Sequence, residues 1–284
     1  MEESERAAKR AAANKESVSK YGSKAQGFFT KKIASLVSSY KVAKKVSRAE
    51  AKMMVPLKWQ FLNDLFEFQN GMCMHCCRVL TFELGKPLTA SVDRNDTDPS
   101  HWIGNVSITC MNCQYARHAF GEAAFEAFLS RVRSSAAVAL PLTRDDPRYV
   151  EALARWDETV ENNPNWLANI TCRATDKFRL VRKGKTPPTT GRADHTWKRP
   201  FLRRLFAEQG GLDPYTGIPL LLDVPASPLT ASLDRIDSDI GYDESFAEKS
   251  NLQWVAVSIQ YAKHDFTDKE TREWIEAIRS SGQI

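Results

Sequence analysis

The sequence predicts an α+β fold built from two tandem copies of one small unit. Blocks of sequence recur in the same order in both halves, each half shows helical and then strand-like patterns, and the first half carries two Cys-x2-Cys pairs. The 284 residues suffice for two modest domains, each with its own core. The apolar content of 42% and the charged content of 26% are ordinary and exclude wholesale disorder.

Three sequence blocks define the repeat. They read Phe-Leu-x-x-Leu-Phe, Pro-Leu-Thr-Ala-Ser-x-Asp-Arg and Gln-Tyr-Ala-x-His, and the offset between the copies grows only from 140 to 146 residues. Chance does not produce three such blocks in register, and small insertions in loops explain the growing offset. The blocks occupy 61–66, 87–94 and 114–118 in the first half and 201–206, 228–235 and 260–264 in the second.

Each unit is predicted to run helix, strand, strand, helix, with a further helix between the units. The predicted elements are helices 57–69 and 197–209, strands 88–93, 105–110, 229–234 and 251–257, and single closing helices 112–133 and 258–280. An Asp-Asp-Pro start and apolar residues at helical spacing predict the linking helix, which stops near Pro164. The predicted domains are a basic helical arm (1–56), a first unit (57–140), the linking helix with a basic linker (141–196) and a second unit (197–284).

The N-terminal arm is strongly basic. Residues 1–60 hold 14 Lys/Arg against 5 Asp/Glu, while the remaining 224 hold 26 against 30, so the net charge of +5 conceals a +9 arm. The arm is predicted to form a helix whose apolar stripe, including Phe29, Val37 and Tyr40, packs on the body of the protein. A basic arm favours a polyanionic partner, although a solvated tail is the alternative. Its predicted nucleic-acid-binding residues are Lys31, Lys32, Lys44 and Lys45.

The two Cys-x2-Cys pairs predict one structural Zn²⁺ site. Each two-residue turn aims two thiolates at a common point, and four thiolates complete a tetrahedral site with no open position for chemistry. Unrelated buried thiols or a disulfide are the alternatives. The predicted ligands are Cys73, Cys76, Cys110 and Cys113.

The second unit lacks these cysteines. Asp213, Thr216, Ala256 and Ile259 stand at the corresponding places, so that copy cannot bind zinc in the same way. We expect packing to replace the metal there, with Tyr215, Trp254 and Ile259 as the residues that provide it.

The order of these motifs resembles the HNH, or His-Me finger, endonucleases. The shared features are a knuckle, a strand ending in Asp-Arg-x-Asp, an Asn opening the next strand, and a knuckle leading into a helix with Gln-x-x-Arg/Lys. The resemblance covers 57–133 and 197–281 and implies two tandem ββα-metal units. In that family the ββα element holds one divalent metal against the scissile phosphate.

The resemblance implies roles for two pairs of residues. Asp93 and Asp234 match the acidic ligand of a catalytic Mg²⁺ or Mn²⁺, and Asn105 and Asn251 match an Asn that braces the loop between the strands.

Two family positions are changed in both units. Arg94 and Arg235 replace the general-base His, as in an Asp-Arg-x-Asp branch of the family, and Gln114 and Gln260 replace the helix ligand. A guanidinium cannot take a proton from water, so these arginines can only bind phosphate or neutralise charge.

Further helix residues complete the predicted site. His118 and His264 lie one turn after the glutamines, where they could serve as a base or a third ligand, and a merely solvated His is the alternative. Arg117 and Lys263 are predicted to contact a phosphate backbone.

Two functions follow from this pattern. The first is a metal-dependent endonuclease that acts as a fused pseudo-dimer, and the second is a catalytically inactive nucleic-acid-binding or ribonucleoprotein assembly protein. We expect nucleic acid as the partner, DNA rather than RNA, and no need for further oligomerisation. Because no apolar run approaches the ~20 residues of a membrane span and no signal peptide is recognisable, we expect an intracellular protein without a membrane partner.

Overall fold

Helices and two small antiparallel sheets form this α+β protein, as a computed structural model shows for residues 24–96, 101, 103–118, 120–136, 138–167, 199–239 and 251–281. The chain divides into two compact units, Met1–Met111 and Asn112–Ile284. The start of the predicted arm and the predicted basic linker lie outside the described residues. No helix within those residues has the length and hydropathy needed to cross a bilayer.

The elements follow the predicted order closely. Among the described residues, the helices that carry the fold are α1 (24–44), α2 (Arg48–Met54), α3 (Trp59–Phe68), α4 (Met111–Arg117), α5 (Glu122–Arg133), α6 (Pro147–Asn162), α7 (Arg199–Glu208), α8 (Val257–Lys263) and α9 (Asp268–Ser281). The strands are β1 (Ala90–Arg94), β2 (Val106–Cys110), β3 (Ala231–Arg235) and β4 (Leu252–Ala256). β1 pairs with β2 and β3 with β4, each pair antiparallel.

The predicted single closing helix is wrong in both halves, because each is two helices. The chain turns at His118 and at His264, which both have φ of 45°. Because of this left-handed conformation, α4 and α8 end at the residue directly before each histidine. A capping box then starts α9: Thr267 Oγ1 accepts the Glu270 N–H at 3.2 Å, and the Glu270 carboxylate accepts the Thr267 N–H at 2.9 Å.

The linking helix α6 is confirmed. Asp146 caps its start by accepting the Arg148 N–H at 2.9 Å, and Pro147 occupies the first turn. Buried Trp156 lies on its inner face, with its ring centroid 5.5 Å from Phe206 and 5.6 Å from Trp254. α6 therefore belongs to the core of the second unit.

Helix α1 packs on the body of the protein, as its apolar stripe predicts. Phe29 is fully buried, with its ring 5.7 Å from Phe82 and 6.2 Å from Phe66. Farther along, Tyr40 forms a 3.2 Å hydrogen bond with Nδ1 of His101, in the segment between β1 and β2. The helix is therefore part of the first unit's core.

The same local contacts recur in both halves. The Gln69 amide donates to the Ile108 carbonyl at 2.8 Å and accepts the Ile108 N–H at 2.9 Å. Gln209 makes the same two bonds to Trp254, at 2.7 Å and 2.8 Å. These paired hydrogen bonds fix the end of the helix against the middle of the second strand of each sheet. The turn that follows the helix is thereby placed at the end of that strand.

Candidate metal centre and strand-end carboxylates

The four predicted zinc ligands form one buried cluster. Cys73 and Cys76 lie in the turn after α3, Cys110 ends β2, and Cys113 lies in the first turn of α4. Their Sγ atoms all lie within 4.8 Å of one another, and the sulfurs of Cys76 and Cys110 are 3.7 Å apart. A disulfide would require about 2.05 Å, so that alternative is not what the geometry shows.

The cluster fits a four-thiolate zinc site. Sulfurs placed tetrahedrally at about 2.3 Å from Zn²⁺ are about 3.8 Å apart, close to the observed separation. N–H donors also face the thiolates: the Cys110 N–H lies 3.2 Å from Cys73 Sγ, and the Trp274 indole N–H lies 3.2 Å from Cys113 Sγ. Such donors stabilise negative charge on metal-bound sulfur. The group is therefore compatible with one structural zinc.

The second repeat has a single buried carboxylate in place of the thiolates. Asp213 stands at the position of Cys73, and its Oδ1 accepts the N–H groups of Tyr215 at 3.0 Å and Thr216 at 2.9 Å, and the Thr216 hydroxyl at 3.0 Å. Its Oδ2 accepts the Ala256 N–H at 2.8 Å. Asp213 thus ties the turn to the end of β4, as zinc would tie the corresponding turn to β2.

The expectation that packing alone replaces zinc is therefore incomplete. Tyr215, Trp254 and Ile259 are indeed buried, but the polar staple at Asp213 makes the direct link. Burial raises the pKa of Asp213 from 3.8 to about 6, and the donors at Ala256, Thr216 and Tyr215 oppose the rise.

The two strand-end aspartates differ in their surroundings. Asp93 is half-buried, and its Oδ1 accepts the Arg94 N–H at 2.9 Å. Asp234 is buried, and its Oδ2 lies 3.1 Å from the Lys263 ammonium and 3.2 Å from the Gln253 amide nitrogen. Burial raises the pKa of Asp234, while Lys263 is the main opposing influence. The buried ammonium neutralises this carboxylate from within the chain.

The two asparagines hold the turns that follow the first strands. Asn105 Oδ1 accepts the Asp96 N–H at 2.9 Å, and Asn251 Oδ1 accepts the Asp237 N–H at 2.6 Å. The Asn251 amide also donates to the Asp237 carbonyl at 3.1 Å. Each asparagine is therefore placed where it fixes the backbone after the Asp-Arg pair.

Gln260 is engaged within the second repeat. Its Oε1 accepts the Ser232 hydroxyl at 2.7 Å, and its amide nitrogen donates to the Leu233 carbonyl at 2.6 Å. Both ends of the side chain thus fasten α8 to β3, and its role as a metal ligand stays a prediction. Gln114 is half-buried in α4 and its ligand role stays a prediction.

The two predicted histidines lie beyond the helix ends and are exposed. The His118 ring stacks on Tyr261 with centroids 4.3 Å apart, and the His264 ring stacks on Tyr115 at 4.7 Å. His264 Nδ1 also lies 3.1 Å from the Asp265 carboxylate. These contacts are reciprocal, because each histidine stacks on the tyrosine of the other repeat. They hold the ends of α4 and α8 together within the second unit.

The residues predicted to contact phosphate fall into a buried group and a more exposed group. Arg117 is 4% exposed with its Nε 3.1 Å from Glu122, and Lys263 is 1% exposed in its pair with Asp234. Because both side chains are buried and form ion pairs within the protein, neither is exposed to a nucleic-acid backbone. The lysines of α1 and its end are different: Lys31, Lys44 and Lys45 are exposed and Lys32 is half-buried.

Sequence reasoning missed two polar residues that shape these sites. Asp213 was considered only as the residue that replaces a cysteine, although an Asp side chain often caps a turn by accepting the N–H two residues on, here that of Tyr215. His101 gave no motif signal. Burial and the neighbouring Arg94 charge lower its pKa to about 4, so its imidazole is neutral at physiological pH.

Comparison with known proteins adds no relative: no family model, no curated protein and no solved structure matches the chain significantly. What stands is the class of protein, a mixed α+β chain with a buried four-cysteine group compatible with zinc.

Proposed function

We propose that this chain is an HNH-like, metal-dependent endonuclease in which only the first repeat cleaves phosphodiester bonds. The observation that carries the proposal is the contrast between the strand-end aspartates. Asp234 is buried against the Lys263 ammonium, whereas Asp93 is half-buried at the end of β1. A divalent cation at Asp234 would have to displace a tethered positive charge from a buried site, which is costly. The second repeat is then a non-catalytic partner.

The residues of the first repeat fit the chemistry of phosphate cleavage. Asp93 offers carboxylate oxygens, which Mg²⁺ and Mn²⁺ prefer, and such a cation polarises a phosphoryl oxygen and acidifies bound water. The guanidinium of Arg94 suits the binding of phosphate and the stabilisation of developing negative charge. Asn105 holds the turn after these two residues in place.

The basic helix α1 supplies affinity for the substrate. Lys31, Lys44 and Lys45 are exposed on it or directly after it, where they can displace counterions from phosphates. Binding through such contacts weakens steeply with salt, and it does not select a sequence.

A cleavage assay on matched variants tests the proposal. Supercoiled plasmid and single-stranded substrates are incubated with the wild-type chain, Asp93→Asn, Asp234→Asn or the exposed control Asp64→Asn, in Mg²⁺ or Mn²⁺. We expect Asp93→Asn to reduce cleavage by at least about a hundredfold, whereas the other two variants retain it. Equal loss in Asp93→Asn and Asp234→Asn would contradict the asymmetry.

A second function is favoured by one specific observation. Arg117 occupies the same repeat position as Lys263 and is also buried, so both halves place a cation inside the protein at this point. This pattern favours a chain that keeps the fold and binds nucleic acid without cutting it. Salt-sensitive binding by the wild-type chain, with no metal-dependent cleavage of any substrate, would select this alternative.

A further inference from the structure

A groove in the first unit combines positive charge with apolar and aromatic surface. It lies between α1 and the segment 81–84 and has a volume of about 730 Å³. Ligand sites typically have about 300–1,000 Å³. The lining residues that carry the argument are Lys24, Phe28, Lys31, Lys32, Phe82 and Leu84.

The apolar wall of the groove is built on a rigid aromatic cluster. The Phe82 ring lies 5.0 Å from Phe28 and 5.0 Å from Phe66, so packing fixes its position. Leu84 is 66% exposed beside it, although a large apolar side chain gains by being covered. The groove therefore offers a preformed surface on which a flat ring could lie.

The lysines supply charge that the described residues do not neutralise. Within the described chain no carboxylate forms an ion pair with Lys24, Lys31 or Lys32. The one acidic group of the lining, Glu83, is exposed and lies 3.8 Å from Lys86. Lys32 is half-buried with its ammonium 5.6 Å over the Phe28 ring, and burial lowers its pKa. An anion bound in the groove would offset the free-energy cost of burying the charge of Lys32.

We propose that this groove binds a nucleotide of a single-stranded nucleic acid, with phosphates on Lys24, Lys31 and Lys32 and the base against Phe82 and Leu84. Lys24 and Lys31 are two helical turns apart, about 10 Å along α1, a spacing that suits the phosphates of a strand better than one isolated phosphate. Single-strand sites elsewhere combine a basic track with stacking platforms in this way. The proposal deepens the proposed function, on whose nucleic-acid substrate it rests.

Fluorescence anisotropy of the full-length chain with labelled oligothymidylate and oligouridylate tests the groove. The variants are Lys24→Glu/Lys31→Glu, Leu84→Asp, and the control Lys41→Glu/Lys52→Glu, which makes the same charge change at exposed residues of α1 and α2 outside the groove. We expect the first two to weaken binding about tenfold or more, and the control to weaken it markedly less. The variants alter exposed side chains, and circular dichroism checks their folding.

Three results would overturn the groove: no binding of either oligonucleotide by the wild-type chain, equal losses in groove and control variants, or full competition by free AMP at the concentration of the oligonucleotide. The first two leave no specific site, and the third indicates a site for free nucleotides instead. If groove variants keep both their oligonucleotide affinity and Asp93-dependent plasmid cleavage, the groove proposal is wrong and the nuclease proposal stands. If oligonucleotide binding depends on the groove but no substrate is cleaved, only the nuclease proposal is wrong.

Discussion

Asp213 should make the stability of the second unit depend on pH in an unusual direction. Folding raises its pKa from 3.8 to about 6, so between these values the folded chain binds the proton more tightly than the unfolded chain does. The contribution of this carboxyl to stability is therefore greatest below about pH 4 and falls as pH rises to about 7. At about 1.4 kcal/mol per pKa unit, the loss amounts to roughly 3 kcal/mol.

Urea unfolding of the wild-type chain and Asp213→Asn across this pH range measures the effect. The asparagine does not titrate, so the difference in unfolding free energy isolates Asp213 and should shrink by roughly 3 kcal/mol from about pH 4 to about pH 7. A difference that stays constant, or that grows with pH, would refute the reasoning. The exposed control Asp239→Asn should follow the wild-type curve throughout.

Removing the staple altogether should cost more than removing its charge. Asp213→Ala leaves the N–H groups of Tyr215, Thr216 and Ala256 without their acceptor, and each buried unpaired donor costs about 1–3 kcal/mol. We expect a loss of about 4 kcal/mol at neutral pH, against less than about 0.5 kcal/mol for Asp239→Ala. A loss below about 1 kcal/mol would show that packing, and not the carboxylate, holds the turn.

Further outcomes follow from the same contacts. The purified chain should contain one zinc, measured by elemental analysis, and a chelator should increase the number of thiols that react, since four of the six cysteines form the cluster; unchanged thiol reactivity would argue against a metal there. Lys263→Met should destabilise the chain by about 3–5 kcal/mol in urea unfolding because it leaves Asp234 buried and unpaired, and adding Asp234→Asn should recover part of this loss; no recovery would place the cost in packing. Trp274→Phe should weaken zinc affinity about tenfold in competition with a chelator, because the indole donor to Cys113 is lost, whereas Trp156→Phe, which removes an indole away from the cysteines, should leave affinity unchanged.

The sequence predicted the elements well where short-range patterns determine them. The strands and the first helix of each unit fall within two residues of their predicted bounds, since alternation and helical spacing encode them locally. The break in the closing helix was missed because His118 and His264 carry no glycine or proline signal, although both adopt a left-handed conformation. Their stacking on tyrosines of the other repeat is a long-range contact, which no local pattern reports.

Site prediction divided in a similar way. The cysteine spacing alone was enough to bring four thiols together, because two-residue turns determine where they point. The partners of polar residues on separate elements were not readable from spacing. Lys263 was expected at the surface, and only the packing of α8 on β3 shows that its ammonium reaches Asp234.

The two repeats differ in what holds the turn after their first helix. Where the first repeat has four thiolates suited to Zn²⁺, the second has a carboxylate bound by donors of its own chain. A group within the chain has thus taken the place where a zinc ion would bind. A tethered partner cannot be diluted or chelated, whereas the stabilisation by a metal grows only with the logarithm of its free concentration relative to its dissociation constant. Metal dependence of stability should therefore originate at the four cysteines.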